Sequence, residues 1–534
     1  MQELKTSKDA LMEIKDTLLE MVKKGINPRD QVESIKRRVT SKHKDPHHPR
    51  NSEILAIASP EEKEILAPIL RKRVVRTLSG VAVVAVMTAP FPCPHGRCIY
   101  CPGGPSWGTP QSYTGKEPAS MRAKMNNYDP VRQVKQRLAQ LEANGHDTSK
   151  IDIIVMGGTF NSTPKEYQEN FILGVFEALN GVKSETLEEA HRINETAKHR
   201  CVGMTIETRP DWLKKHQVRD LLRFGATRVE VGVQTLDDNI LEIVKRGHTV
   251  KDTVEAFENL RNAGFKITAH MMPGLPGSSI EKDVDDIRRL YYDPRFIPDE
   301  IKIYPTQVIE GTPLEKWVKK GKYTPIDDEY AFEVIYQAKK ITPTFVRIKR
   351  ALRDLPATLV EYGPRKGNAR EIVRKRMELL GEACRCIRCR EVGHQTYYRG
   401  KTLNEGAIEL VKRTYFAARK KEYFLSFEDV ENDILLGFLR LRLLPEDTYI
   451  SELRGNAVVR ELHVYGQAIP IGETPTAEKT AQHKGYGKKL LRKAEEIAVD
   501  NGYDGLAVIS GVGVRQYYAK QGYQKIGYYM IKKF

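Results

Sequence analysis

Three of the chain's seven cysteines fall inside one short stretch, "CPHGRCIYC". Four residues separate Cys93 from Cys98, and two separate Cys98 from Cys101. A four-iron iron–sulfur cluster normally takes one cysteinate per iron, so three thiols on one loop would leave one iron open to chelate a small molecule. Three thiols also suit a zinc ion that borrows a distant fourth ligand, or a set of reduced side chains. The second trio, Cys384, Cys386 and Cys389 in "CRCIRC", is tighter and lies among cations that lower a thiol's pKa and favour the thiolate. Its spacing points to structural zinc; no fourth ligand is evident, and His394, five residues on, is a candidate. Cys201, alone ahead of an apolar run, reads as a small core residue. A third constellation is "QHKGYG" at residues 482–487, which opens a helix directly after a loop. Its glycines permit close backbone approach, and the exposed N–H groups of a helix start bind phosphate.

These groups need elements to hold them. Short apolar runs at 81–87, 151–156, 204–206, 229–233, 267–272 and 301–304 are closed by polar or turn residues, and most are separated by amphipathic helical stretches. Six strands alternating with helices predict a parallel sheet, doubly wound or curved into a partial barrel, with its site at the C-terminal strand ends. The segments there are polar or glycine-rich: "APFPCPHGRC", "GGTFNS", "ETRPD", "GVQT", "HMMPGLPG" and "PTQVIEGT". The first cysteine trio therefore sits on a strand-end loop. Residues 1–75 read as a basic helical segment, 76–344 as the barrel and 345–401 as a basic linker carrying the second trio. Residues 402–534 read as a small α+β domain.

At 534 residues the chain is too long for one ordinary core. It shows no long uncharged apolar run and starts with a charged segment, so neither a membrane span nor a secretory signal is expected. An odd number of cysteines in such a chain fits a reducing cytosol and metal ligation better than disulfides. The net charge of +17 favours a polyanionic partner such as nucleic acid. The linker holds 15 Lys and Arg against 6 Asp and Glu, and "KRRVTSKHKDPHHPR" with "RKRVVR" make a second basic zone near the N-terminus.

Cys93, Cys98, Cys101, the aromatic Tyr100 and the pair Gly157–Gly158 after the second strand resemble the radical S-adenosylmethionine (SAM) superfamily. Two features depart from its usual pattern: the four-residue first spacing, and Thr159 where an acidic residue usually follows the glycines. "RELHVYG", "QHKGYG" and "VRQYYAKQGY" resemble the acetyl-CoA-binding fold of GCN5-related acetyltransferases. The two together resemble the family of the catalytic subunit of Elongator. The likeness runs through nearly the whole chain and is carried by "CIYCPGGP", "TPQSYTG", "EPASMRA", "VMGGTF", "TIETRPDW", "GHTV", "AHMMPGLPG", "IKIYPTQVI", "RELHVYG" and "ISGVGVRQYYAKQGY".

That resemblance implies a radical SAM partial (βα)6 TIM-like barrel plus a C-terminal α+β GCN5-related acetyltransferase domain. It implies 5-carboxymethyluridine formation at wobble position U34 of tRNA, with acetyl-CoA supplying two carbons and a deoxyadenosyl radical activating the acetyl methyl group. Cys93, Cys98 and Cys101 would hold a 4Fe-4S cluster, and Gly157 and Gly158 would form the SAM-contacting turn. Lys150, Glu461, Leu462, His463, Val464, Gln482, Gly485, Tyr486, Gly487 and Tyr517 would contact acetyl-CoA. His463 would orient water or the thioester, and Tyr517 or Tyr518 would donate to the sulfur; adjacent helical positions diverge, so one tyrosine of the two belongs to the core. Cys384, Cys386 and Cys389 would hold zinc. The expected partner is the tRNA anticodon stem-loop, whose unpaired uridine needs no duplex opening. The chain would act in the cytoplasm as a monomer or homodimer, without other Elongator subunits. The competing expectation is a protein lysine acetyltransferase with a structural cluster.

Overall fold

The structure, a computed structural model, describes residues 5–70, 80–465 and 485–534. The basic run "RKRVVR" and Gln482 lie outside the described residues.

Apolar residues three or four apart give α1 (Lys8–Lys23) one inward face, and Leu11, Ile14 and Leu18 are wholly buried there. They share a core with Val32, Ile35 and Val39 of α2 (Val32–Lys42), Ile54 of α3 (Asn51–Ile57) and Leu66 of α4 (Pro60–Leu70). Of the basic residues in α2, Lys36 is buried and donates to Asn51, whereas Arg37 and Arg38 are exposed.

The barrel strands are β1 (Ala82–Met87), β2 (Lys150–Met156), β3 (Arg200–Thr208), β4 (Arg228–Gln234), β5 (Lys266–Met271) and β6 (Glu300–Ile303). β7 (Val308–Ile309) and β9 (Val360–Tyr362) make a separate antiparallel pair, while β8 (Arg347–Arg350) joins β6 in parallel. The main sheet therefore runs β1-β2-β3-β4-β5-β6-β8, every neighbour parallel. Successive strands add to the same edge through helical crossovers, which curls the sheet into a half-barrel. Period-two alternation sorts its faces: Val229, Val231 and Val233 of β4 are wholly buried in the hydrophobic core, while Glu230 and Gln234 line a cavity inside the curl. The seventh strand comes from residues 345–401.

The second sheet contains β10 (Ile408–Ala417), β11 (Lys420–Asp429), β12 (Ile434–Arg442), β13 (Asn456–Val464), β14 (Gly505–Val508), β15 (Gln524–Ile526) and β16 (Tyr529–Lys533), in the order β10-β11-β12-β13-β14-β16-β15. Its neighbours are antiparallel except for β13 and β14. The helix Tyr486–Asp500 covers it with Leu490, Leu491 and Ala494.

Charges bind the two sheets together. Asp299, just before β6, accepts from Arg460 of β13 at 2.7 and 2.8 Å. Glu422 of β11 accepts from Arg261 of the barrel at 2.6 Å, and from Arg442 and Arg460 at 3.0 and 2.6 Å. All five side chains are wholly buried. Burial would raise the Glu422 carboxyl, but Arg261, Arg460 and Arg442 bring it down to about 2, and Arg460 likewise holds Asp299 below the carboxylate range. A carboxyl depressed in the folded state stabilises above its unfolded value, near 4.5 for Glu, and that stability is lost as pH falls through the folded value. Urea unfolding measured across pH should therefore show stability declining from about pH 4.5 towards pH 2; a flat profile there would contradict these pairings.

Candidate functional site

The loop after β1 brings the first cysteine trio to the C-terminal mouth of the half-barrel. Its middle is clamped: Ile99 N–H donates to Val244 O at 3.1 Å, and Leu314 N–H donates to Ile99 O at 2.8 Å. Cys98 and Cys101 are buried and Cys93 is half-buried, and all three line a cavity of about 1030 Å³. Among the described residues, two groups of three ligating atoms lie within 4.8 Å of one another, and this trio is not one of them. Thiolates about 2.3 Å from a single tetrahedral ion would lie under about 4 Å apart. The wider spread suits a cluster that presents a separate iron to each sulfur.

Gly157 and Gly158 form the turn after β2. Gly157 has φ +137°, and a Cβ there would meet Thr88 Oγ1 at 2.0 Å, so only glycine fits. The Cβ position of Gly158 lies 3.8 Å from Cys93 Sγ, which puts bare backbone beside the trio. Thr159 is buried with its Oγ1 3.6 Å from the same sulfur.

Each sulfur has a polar neighbour. Ser112 N–H donates to Cys101 Sγ at 3.2 Å, His95 Nε2 lies 3.2 Å from Cys98 Sγ, and Arg246 Nη1 lies 3.8 Å from it. Arg209 faces His95 Nδ1 and forks onto Asp211 at 2.9 and 2.8 Å. Burial, with Arg209 and Arg246 beside it, pushes the His95 imidazole down to about 3, so it is neutral. Burial also pushes the Cys101 thiol up to about 11, so thiolate there requires a cation to bind.

Charged side chains furnish the inside of the curl. Glu230, wholly buried, pairs with Lys302, with Lys349 at 3.2 Å and with His270 at 3.1 Å. Tyr113 OH donates to Glu207 at 2.6 Å. From this cavity floor Lys349 reaches Glu300 at 3.1 Å, and at the N-terminal end of the barrel Lys266 pairs with Glu461 of β13 at 3.4 Å. Ion pairs thus follow the lumen from the cysteine mouth towards the acetyltransferase-like domain.

In that domain, β13 and β14 pair only as far as Val459 and Val508. Beyond this point Glu461, Leu462 and His463 stay in register with Arg440, Leu439 and Phe438 of β12, and among the described residues no strand pairs with β13 on its β14 side. Gly485, at φ +75°, caps the helix that begins at Tyr486. A Cβ on Gly487 would lie 3.0 Å from Tyr517 OH and 3.7 Å from Val464 Cγ2, so the strand edge, helix start and tyrosine converge. Tyr517 is 36% exposed; Tyr518 is buried in the core, 6.0 Å from Tyr523 between ring centroids. The structure therefore brings Tyr517 to the site and places Tyr518 outside it. His463 is half-buried, its ring 4.4 Å from Tyr465, and burial keeps its pKa below the usual histidine value despite Glu461. Lys150 lies at the N-terminal end of β2, paired in register with Arg200, and burial lowers its pKa. Gly511 and Gly513 press against Val202 and Arg200 at that same end of the sheet.

Cys384, Cys386 and Cys389 form one of the two tight groups, their sulfurs within 4.8 Å of one another. The group is compact enough for its sulfurs to close on a single tetrahedral ion. His394 is not in that group; its Nε2 lies 3.1 Å from Glu391 Oε1.

Residues 90–290 match the Radical SAM superfamily, 298–379 the Radical_SAM C-terminal domain, 8–78 the ELP3 N-terminal domain and 394–528 the Acetyltransferase (GNAT) family. A protein of Methanocaldococcus jannaschii named tRNA uridine(34) acetyltransferase is 52% identical over 91% of this chain and 90% of its own length. The chain belongs to the Elp3 family. Elongator complex protein 3 of Homo sapiens is 41% identical over 97% of this chain and 96% of its own length. The solved structure of the archaeal Methanocaldococcus infernus Elp3 with its N-terminus deleted superposes with a TM-score of 0.76, at 44% identity, covering 86% of this chain and 100% of that one. Membership implies a 4Fe-4S cluster and SAM for the barrel and acetyl-CoA for the second domain.

The lumen of this Elp3-family barrel holds residues that motif reading passes over: Glu207, Glu230, His270, Lys302 and Lys349. The signal was present. "TIETR", "RVEVGVQ" and "EIKIY" place a charge at alternate positions of otherwise apolar strands, the pattern of a strand with one polar buried face. Among the described residues, no helix is long and apolar enough to cross a membrane.

Proposed function

We propose that this chain modifies uridine 34 of tRNA, forming 5-carboxymethyluridine from acetyl-CoA by radical SAM chemistry. The observation that carries the reading is the extended similarity to proteins named tRNA uridine(34) acetyltransferase, which favours it over protein lysine acetylation. When bound, the cluster and SAM supply a carbon radical able to break an unreactive C–H bond. The chain supplies placement. Cys93, Cys98 and Cys101 hold the cluster, and the backbone at Gly157 and Gly158 lets SAM approach it. The β13 segment Glu461–Val464 takes the pantetheine arm, Gly485 to Gly487 take the diphosphate, and Tyr517 donates to the thioester. The largely neutral imidazole of His463 suits it to orient water at that thioester. Lys150 lies at the barrel end against which the second domain packs, in keeping with an acetyl-CoA contact.

The ion-paired lumen supports a short passage between the two sites, since desolvated charges in place need little reorganisation when a polar substrate enters. Cys384, Cys386 and Cys389 hold structural zinc, fixing the turn that Ile387 ties to Val346 through a 3.0 Å backbone bond. The tRNA anticodon stem-loop meets the basic surfaces, with Arg37 and Arg38 among the exposed cations. The chain acts in the cytoplasm without other Elongator subunits.

The test is anaerobic reconstitution with iron and sulfide, then incubation with unmodified tRNA, SAM, reductant and methyl-deuterated acetyl-CoA. Carboxymethyluridine accompanied by deuterium in 5′-deoxyadenosine is the expected result by mass spectrometry. Acetyl transfer to lysine in an added protein, with tRNA untouched, would overturn the reading.

A further inference from the structure

The loop between Cys93 and Cys98 holds His95 and Gly96, and His95 is fixed on three sides. Its Nδ1 faces Arg209 Nη1, its Nε2 lies 3.2 Å from Cys98 Sγ, and the backbone of Gly247 closes over the ring. A Cβ at Gly247 would come within 2.7 Å of His95 Cβ, so the left-handed Gly247 (φ +75°) leaves the imidazole no room to withdraw on that side.

The hydrogen positions follow from the partners. A guanidinium only donates, so Nδ1 must accept, and the single ring proton is left on Nε2, pointing at the Cys98 sulfur. Arg209 is 2% exposed and held by both oxygens of Asp211, so the tautomer is set by a chain of buried and half-buried groups: Asp211, Arg209, His95, Cys98. Ser112 N–H donates to Cys101 at the same distance, but that donor is backbone and survives side-chain substitution. At Cys98 the donor is a side chain.

We propose that His95 is a positioning residue that donates a hydrogen bond to the Cys98 ligand and thereby raises the reduction potential of the cluster. This rests on the cluster assignment above. Hydrogen bonds to cysteinyl sulfur are among the factors that set cluster potentials, because a donor stabilises the more negative, reduced form. SAM cleavage begins with an electron from that reduced form, so His95 eases the step that precedes all substrate chemistry. Arg246, 3.8 Å from the same sulfur and anchored to Gly232 O at 2.8 Å, adds positive charge from another side.

The experiment is a redox titration of the reconstituted full-length enzyme, followed by electron paramagnetic resonance of the reduced cluster, with iron content measured alongside. His95→Leu should load iron as wild type does and shift the reduction equilibrium about tenfold towards the oxidised cluster, which for one electron is 59 mV. His95→Gln keeps an amide donor and should recover part of that shift. Resonance Raman of wild type in deuterated buffer should move an Fe–S(Cys) stretch that does not move in His95→Leu. Equal potentials for wild type and a fully loaded His95→Leu would overturn the inference and leave the cluster standing. If His95→Leu fails to load, His95→Gln and the deuterium shift decide it: a loaded Gln variant with a midpoint below wild type and an altered isotope shift agrees with the inference, and a wild type without the isotope shift refutes it. Wild type that binds no cluster would overturn both.

Discussion

Cys98→Ala should abolish uridine modification while leaving the protein folded. The sulfur is one of three on a loop whose backbone is pinned at Ile99 by two backbone hydrogen bonds, so removing one sulfur atom from a buried position leaves the loop's path in place. Two thiolates do not retain a four-iron cluster that normally takes one cysteinate per iron. Iron per chain after anaerobic reconstitution should drop from about four to background, and carboxymethyluridine in digested tRNA should fall below detection. Circular dichroism should match wild type. Modification that persisted in an iron-free Cys98→Ala protein would mean that the barrel does not carry the chemistry. Alanine at Cys201 makes the contrast: that thiol is also buried, but it lies at the start of β3, away from the cluster mouth, and burial pushes it far above the thiolate range. Its loss should cost stability and spare modification.

The same contrast explains what could be read from the sequence. Chemistry carried by neighbours in the chain was legible: Cys93 to Cys101 share one loop, Gly157 and Gly158 one turn, and Cys384 to Cys389 one turn. The six strands were legible because their apolar runs are short and punctuated. β8 was hidden because three of the four residues in "RIKR" are charged, and its lumen-facing Lys349 reads as a solvated cation until Glu230 and Glu300 are seen beside it. Tyr517 and Tyr518 could be told to diverge, but which one faces Gly487 depends on how the last helix docks. The partners of Cys98 were the least legible. Arg209 and Arg246 lie on loops after β3 and β4, over a hundred positions from the cysteine in sequence, and no local pattern couples them to His95. Charge was legible only as a total: the excess of residues 345–401 suggests an open basic face, yet Arg347, Lys349 and Arg390 are spent on Glu391, Glu230 and Glu428.

Asp299→Ala should destabilise the whole chain by about 3–5 kcal/mol, the cost of leaving buried charge without its partner. Arg460 loses a two-pronged carboxylate, and Arg261 and Arg440, whose guanidiniums lie 3.7 and 3.5 Å from Asp299, lose their share of it. Glu422 cannot compensate, because it already accepts from Arg261, Arg442 and Arg460. Denaturant unfolding would measure the loss, and a cycle with Arg460→Met would show its origin: the double variant should be less destabilised than the two single changes added together, because removing both charges leaves fewer of them unpaired. Strict additivity would mean that the pair contributes nothing beyond its separate packing. The consequence reaches function through geometry. Asp299 precedes β6, Arg460 precedes the Glu461–Val464 segment of β13, and Lys266 meets Glu461 one residue further on. Loosening the pair should therefore disturb the alignment of that segment with the lumen before it disturbs either cofactor site alone. Under conditions where Asp299→Ala remains folded, SAM cleavage and acetyl-CoA binding should each stay near wild type while deuterium transfer from the acetyl methyl group falls. Transfer undiminished in a loosened protein would show that the two domains need no fixed register.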